Sequence, residues 1–586
     1  MEMRWNLDDL YTSFESAEFL ADFESVKQDV ADFGKWAEEN FANTNNATSK
    51  LETYINKINN SATRQKLFSY AFLNRAVDES NAFAKKYMDL LRVMQAELTK
   101  PVVLFKKFVS KIENLDSLIE SSALLKEHEF VLKEVLEQNK YLLSEKEEIV
   151  IAKLKNTGSS AWTDMKDQLL ATMKIPITIE GKEQILPLPA VRNLAHDANA
   201  ETRKSAYFTE LAAYEPVEKA AAAALNAIKG EVISLADMRG YDSPLHMTLV
   251  NSRLQSETLD AMLKSIEDFL PSFRRYFNKK AQILGHKGSL PFYDIFAPTS
   301  SVKMTFTYPE AKDFVLKNFY EFSKKLGDFT KNAFEKNWVD AEVRDGKRGG
   351  AFCSNLHSIK QSRIVINFNG SFSNVTTLAH ELGHAYHGLC LESLPYLNTT
   401  YTMPIAETAS NFCEAIVTNA ALKNANEDEK MAILEAEISD SLQVIIDIYS
   451  RYIFELRLFE KRKGGSLSVE EINQLMLDAQ KDAYGDGLDH NFLHKYMWIN
   501  KVHYYYSERN FYNFPYAYGL LFSTGLYGQY LEQGSSFLEK YDNLLAATGC
   551  NSLEAVADLA GIDVRKKDFW VSSLKLIEKK IDEFCV

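Results

Sequence analysis

The chain has 586 residues, more than one compact core supports, so at least two lobes are expected. Hydrophobic residues make up 46% and charged residues 25%, which is ordinary globular composition and argues against disorder. A formal net charge of -14 and a pI of about 5.5 argue against nucleic acid or anionic membrane as the main partner, since both select a basic surface.

The first residues, Met1 to Leu10, are acidic and amphipathic without a continuous apolar run, so they do not read as a secretory leader. No stretch approaches the roughly 18 apolar residues of a membrane span. From Phe19 to Asn40 the residues Phe19, Phe23, Val26, Val30 and Phe33 recur at helical spacing. Similar patterns run through 48–115 and 119–155. Ile175 to Ile185 then alternates and turns at Gly181, which predicts a β-hairpin. We place a lobe boundary here, with an N-terminal helical lobe over 1–190 and a catalytic lobe over 191–586. Helices resume over 199–236.

A second β-rich stretch covers 340–370. Gly346, Gly349 and Gly350 loosen the chain, and Arg363 to Phe368 is rich in β-branched residues. That strand either pairs with an extended peptide by strand addition or is an internal strand without such a role. Further on, Gly464-Gly465 marks a turn, and Ser468 with Glu471 has the spacing of a capping box. The five cysteines, Cys353, Cys390, Cys413, Cys550 and Cys585, are odd in number and form no C-x-x-C pair. Free thiols in a reducing, cytoplasmic compartment are expected.

The chemistry concentrates in His380-Glu381-Leu382-Gly383-His384. Asn374 is the expected helix cap. Residues four apart on a helix share a face, so both imidazoles can reach one ion. Glu381 is rotated by about 100° and can reach a water on that ion instead. His387 lies on the same face, but about 10 Å of helix separates it from His380, too far to share an ion. It is assigned to support or packing.

A hydrolytic zinc usually takes three protein ligands and leaves one position for water. The next helical stretch, Pro404 to Glu414, offers Glu407 or Glu414, seven residues apart on one face. Either can ligate, and the other can hydrogen-bond a ligating histidine. Both can equally be solvated surface acids, although Ile405, Ala406, Phe412 and Ala415 argue for burial.

With these residues the chain resembles the oligoendopeptidase F branch of the thimet-oligopeptidase family of zinc metallopeptidases. The likeness runs over nearly the whole chain. It includes Trp5 to Tyr11, Tyr293 to Pro298, Gly349 to Cys353, Thr377 to His387, Ala406 to Glu414 and Tyr512 to Gly519. The resemblance implies a mainly α fold, an elongated two-lobed helical body with a deep substrate channel and a small β-sheet beside the metal helix. It implies one Zn2+ per chain on His380, His384 and Glu407, with Glu414 beside them and Glu381 as general base. It implies a histidine and tyrosines that bind the reacting carbonyl, for which His503, Tyr512 and Tyr516 fit best among crowded aromatics. The expected activity is endopeptidase cleavage of short or unfolded oligopeptides, with no nucleic-acid or membrane partner. The oligomeric state is not legible.

Overall fold

The computed structural model describes residues 3–300, 302 and 304–586 and is mainly helical, with two small sheets. The chain divides into two compact units, each assembled from three segments. The first gathers Met1–Lys140, Lys303–Lys423 and Gln529–Ile562; the second gathers Tyr141–Val302, Asn424–Gly528 and Asp563–Val586. Among the described residues no helix is long and apolar enough to cross a membrane.

In the first unit the amphipathic pattern forms helix Ala17–Asn40, capped by the Ser16 side chain on the Phe19 amide. Phe19, Phe23, Val26, Val30 and Phe33 are all buried, as one apolar stripe requires. They join an aromatic core with Tyr11, Phe14, Tyr70 and Tyr87. Helices Ala47–Asn59, Ala62–Val77, Ala82–Glu97 and Thr99–Ser110 close over it.

This unit also holds a three-stranded sheet of Val339–Asp340, Phe352–Leu356 and Gln361–Val365. Gln361–Val365 is its middle strand, parallel to Val339–Asp340 and antiparallel to Phe352–Leu356. Both sides of that strand are therefore used, and beyond it Ile366 and Phe368 donate to the Asp340 and Ala341 carbonyls. The internal reading of this segment holds, and among the described residues Val339–Asp340 and Phe352–Leu356 are the edge strands, each paired on one side only. Fully buried Arg363 ties the sheet to the start of the chain, donating to the Asn6 carbonyl at 2.8 Å and pairing with Asp9.

In the second unit the predicted hairpin forms between Ile175–Ile179 and Lys182–Leu186. Glu180 and Gly181 both take positive φ, the two-residue turn that matches strand twist. The long helix Ser256–Ile283 packs on Lys567–Cys585. Helix Glu427–Leu442 passes through a π-helical turn, Gln443–Asp447, into helix Ile448–Arg462. Helix Val469–Tyr484 starts with the predicted capping box of Ser468 and Glu471. Trp498, Tyr504 and Tyr505 share a core with Phe454 and Leu458 of helix Ile448–Arg462 and with Ile472 and Leu475 of helix Val469–Tyr484.

Candidate metal centre

His380 and His384 lie on helix Phe372–Leu391 in the first unit. The helix starts earlier than expected. Gly370 turns with φ +94, Ser371 follows in extended backbone, and the Ser371 hydroxyl accepts from the Asn374 amide at 3.3 Å. Asn374 instead accepts from the Asn369 amide at 2.7 Å. Two neighbouring groups then hold the helix tightly. A Cβ on Gly383 would lie 2.5 Å from the Ala409 carbonyl oxygen, so only glycine permits this approach of the next helix. On the strand side, Asn355 Nδ2 donates to the His384 carbonyl at 3.2 Å.

The stretch Pro404–Glu414 is broken at its acidic residue. Met403–Ala406 is a short turn that includes Pro404, and Glu407 sits at φ -87 and ψ 3 before helix Thr408–Asn424 begins. Glu407 Oε2 lies 3.2 Å from His380 Nε2 and 3.4 Å from His384 Nε2. One donor atom from each of the three residues falls within 4.8 Å of the others, a span that one ion can close. Ser410 donates to the same Glu407 oxygen at 2.9 Å and fixes its direction. Glu414 takes a different place, with Oε2 3.2 Å from His380 Nδ1. A carboxylate only accepts, so both His380 nitrogens donate here, Nδ1 to Glu414 and Nε2 to Glu407, and loss of the Nε2 proton would leave that nitrogen as the one able to hold an ion.

The charges explain why a cation suits this spot. Burial opposes a charged His380, yet the hydrogen bonds with Glu407 and Glu414 overcome it and raise its pKa to about 10. Burial also opposes ionised Glu407, but hydrogen bonds with the two histidines hold it well below the usual carboxylate range. The proton on His380 occupies the place that a divalent ion would take, and binding would release it. Glu381 is 5% exposed, and its Oε2 has no hydrogen-bond partner among the described residues. Burial pushes its pKa up. His387 is packed away instead. It is fully buried, stacked on Tyr401 at 4.3 Å, and 2.8 Å from Thr548 Oγ1.

The other predicted residues cluster separately, in the second unit. The His503 and Tyr512 rings lie 4.9 Å apart, and the Tyr512 and Tyr516 rings 5.9 Å apart. These three are half-buried, whereas Tyr504, Tyr505, Phe511 and Phe514 are buried core. Tyr506 also joins the half-buried group, 5.8 Å from His503. The sequence alone assigns no role to Ser410, Gly383 or Asn355 and leaves Tyr506 among the crowded aromatics. Only Gly383 carried a signal, since a glycine inside a helix costs about 1 kcal/mol relative to alanine and needs a reason.

Known proteins resemble this chain over most of its length. The family model described as peptidase family M3 matches residues 193–576, and one described as oligopeptidase F matches residues 111–175. The chain is 25% identical to oligopeptidase PepF of Bacillus subtilis, covering 99% of this chain and 87% of that protein. It is 26% identical to an oligoendopeptidase F homolog of Lactococcus lactis, over 89% of this chain and 87% of the relative. A solved chain from Chlamydophila abortus superposes with a TM-score of 0.86 at 21% identity, over 100% and 98% of the two chains. Oligoendopeptidase-F from Enterococcus faecium gives 0.70 at 18% identity, over 96% and 98%. These two likenesses establish the fold.

Proposed function

We propose, from the premise that this chain belongs to peptidase family M3 in its oligopeptidase F branch, that His380, His384 and Glu407 hold one zinc ion per chain and Glu381 is the general base. Membership makes the protein a metalloendopeptidase that hydrolyses oligopeptides. The single observation that carries the residue assignment is the approach of one Glu407 oxygen to both imidazole Nε2 atoms. Two imidazoles and a carboxylate are three of the four donors of a catalytic zinc, whose fourth position is water's. When bound, zinc supplies Lewis acidity toward the water and the scissile carbonyl.

The remaining work falls to side chains. Glu414 fixes the His380 tautomer, and Ser410 fixes the ligating carboxylate oxygen. Glu381 has a buried oxygen that nothing in the described protein satisfies, and its raised pKa brings its proton affinity nearer to neutral pH. It accepts a proton from the attacking water as the C–O bond forms, then gives it to the leaving amine as the C–N bond breaks. His503, Tyr512 and Tyr516 donate hydrogen bonds to the carbonyl oxygen as its negative charge grows. Their half-buried clustering and the resemblance of the Tyr512–Gly519 block support that role. The unpaired side of Phe352–Leu356, beside the metal helix, offers backbone groups to an extended peptide. Five free cysteines support a reducing, cytoplasmic setting.

The test is Glu381→Gln. Zinc content by metal analysis stays at the wild-type level, while turnover of an internally quenched peptide falls by about 10³-fold or more. Wild-type turnover in that variant rejects the base assignment. Mass spectrometry of a peptide-library digest, with and without a zinc chelator, separates internal from terminal cleavage.

A further inference from the structure

Two buried charges in the second unit have no part in the chemistry described so far. Lys229 lies on helix Glu218–Met238 and Glu455 on helix Ile448–Arg462, with side chains 0% and 2% exposed. Lys229 Nζ donates to Glu455 Oε1 at 2.6 Å. Desolvating such a pair is costly, and apolar residues of the same shape often serve stability as well. Its contacts point to a different use.

Lys229 Nζ also donates to Asn510 Oδ1 at 2.9 Å, and Glu455 Oε2 accepts the Phe511 backbone N–H at 3.1 Å. Thr248 Oγ1 donates to the Asn510 carbonyl at 3.0 Å, and Asn510 Nδ2 donates to the Ser507 carbonyl at 3.2 Å. Phe511 has φ +52, a left-handed conformation that bulky L-residues rarely adopt. Such backbone persists only where its surroundings over-determine it. Here the buried pair grips both residues of the turn, and the Phe511 ring sits 5.5 Å from Phe459 and 5.6 Å from Tyr452. The next residue is Tyr512.

The same helix face adds a second grip. Arg451, one turn before Glu455, donates to Asn513 Oδ1 at 3.5 Å, and the Asn513 side chain faces His503. Arg451 pairs in turn with Asp447, which closes the π-helical turn. Bulges of this kind recur at functional sites.

We infer that Lys229 and Glu455 are positioning residues, which aim the Tyr512 hydroxyl through Asn510 and the left-handed Phe511. This rests on the reading of Tyr512 as a donor to the carbonyl oxygen. Removing one charge strands the other in the core, so the informative change is the matched double variant Lys229→Met/Glu455→Leu. Asn510→Ala cuts the link to the turn and leaves the ion pair in place.

Both variants are expected to keep the wild-type circular dichroism spectrum and zinc content. KM stays within about twofold, while kcat falls about 100-fold, the usual cost of a misplaced group. Adding Tyr512→Phe to the double variant takes kcat no lower than Tyr512→Phe alone, because a misaimed hydroxyl has nothing left to lose. Wild-type kcat in the folded variants, or losses that multiply with Tyr512→Phe, overturns the inference. If the double variant does not fold, Asn510→Ala decides by the same two readouts. An unchanged kcat in Tyr512→Phe sinks the tyrosine reading and this inference together. A lowered kcat there with unaffected positioning variants sinks the inference alone.

Discussion

His380 and His384 ride on an unbroken helix of 20 residues, whereas His503 rides on a single 3-10 turn, Val502–Tyr505, and Tyr512 on irregular backbone before the next helix. In the first region the helix itself sets the spacing of the two imidazoles, and neighbours only press it into place through Gly383, Asn355 and Ser410. In the second region no long helix sets a common direction. There a strained turn is held by buried charges drawn from other parts of the unit. The difference teaches that a helix-borne site needs few supports, while a loop-borne group needs an enclosing set of them.

The largest effect should come from the metal helix and its carboxylates. Glu407→Ala removes the proposed third ligand and should reduce zinc affinity far beyond the loss in Glu414→Ala. The latter removes only the support of His380 and should cost about 10–100-fold. Zinc titration with a competing chelator measures both, and equal losses would erase the distinction between ligand and support. Next comes Gly383→Ala. The added methyl meets the Ala409 carbonyl and Ser410 Cα at 2.5 and 2.6 Å, so the two helices must part. Destabilisation of about 1–3 kcal/mol is expected in denaturant melts, with weaker zinc binding. A neutral result would show that the metal region is looser than its packing implies.

The last effect is on stability alone and lies at the base of the tyrosine region. Burial lowers the Lys501 pKa from 10.5 to about 8, and nearby Arg451 adds to this. Between those values the unfolded chain binds a proton that the folded chain does not, so this residue makes stability rise with pH from about 8 to 10.5. Subtracting the stability curve of Lys501→Met from that of the wild type should reveal the rise. A flat difference would mean that the charged lysine is solvated and that this region is less closed.

The Phe19–Phe33 stripe, the hairpin turn at Gly181 and the capping box at Ser468 were legible because each depends on residues a few positions apart. The start of the metal helix was misplaced by three residues, since Asn374 and Ser371 are both capable caps. Gly370 and the bridge from Thr305 to Ser371 decide between them. The pairing of Gln361–Val365 on both sides could not be read either, because one partner strand is two residues long.

The spacing of His380, Glu381 and His384 by itself put two imidazoles and a carboxylate on one helix, because a helix converts sequence intervals into directions. Which further carboxylate approaches both imidazoles was decided only in three dimensions. Glu407 falls at a break between helices, which carries its oxygen to both Nε2 atoms, while Glu414 reaches the far side of the His380 ring. The sorting of the C-terminal aromatics into buried core and half-buried cluster was likewise tertiary. Identical side chains in one short stretch differ only in what other segments place against them, and no local pattern encodes that.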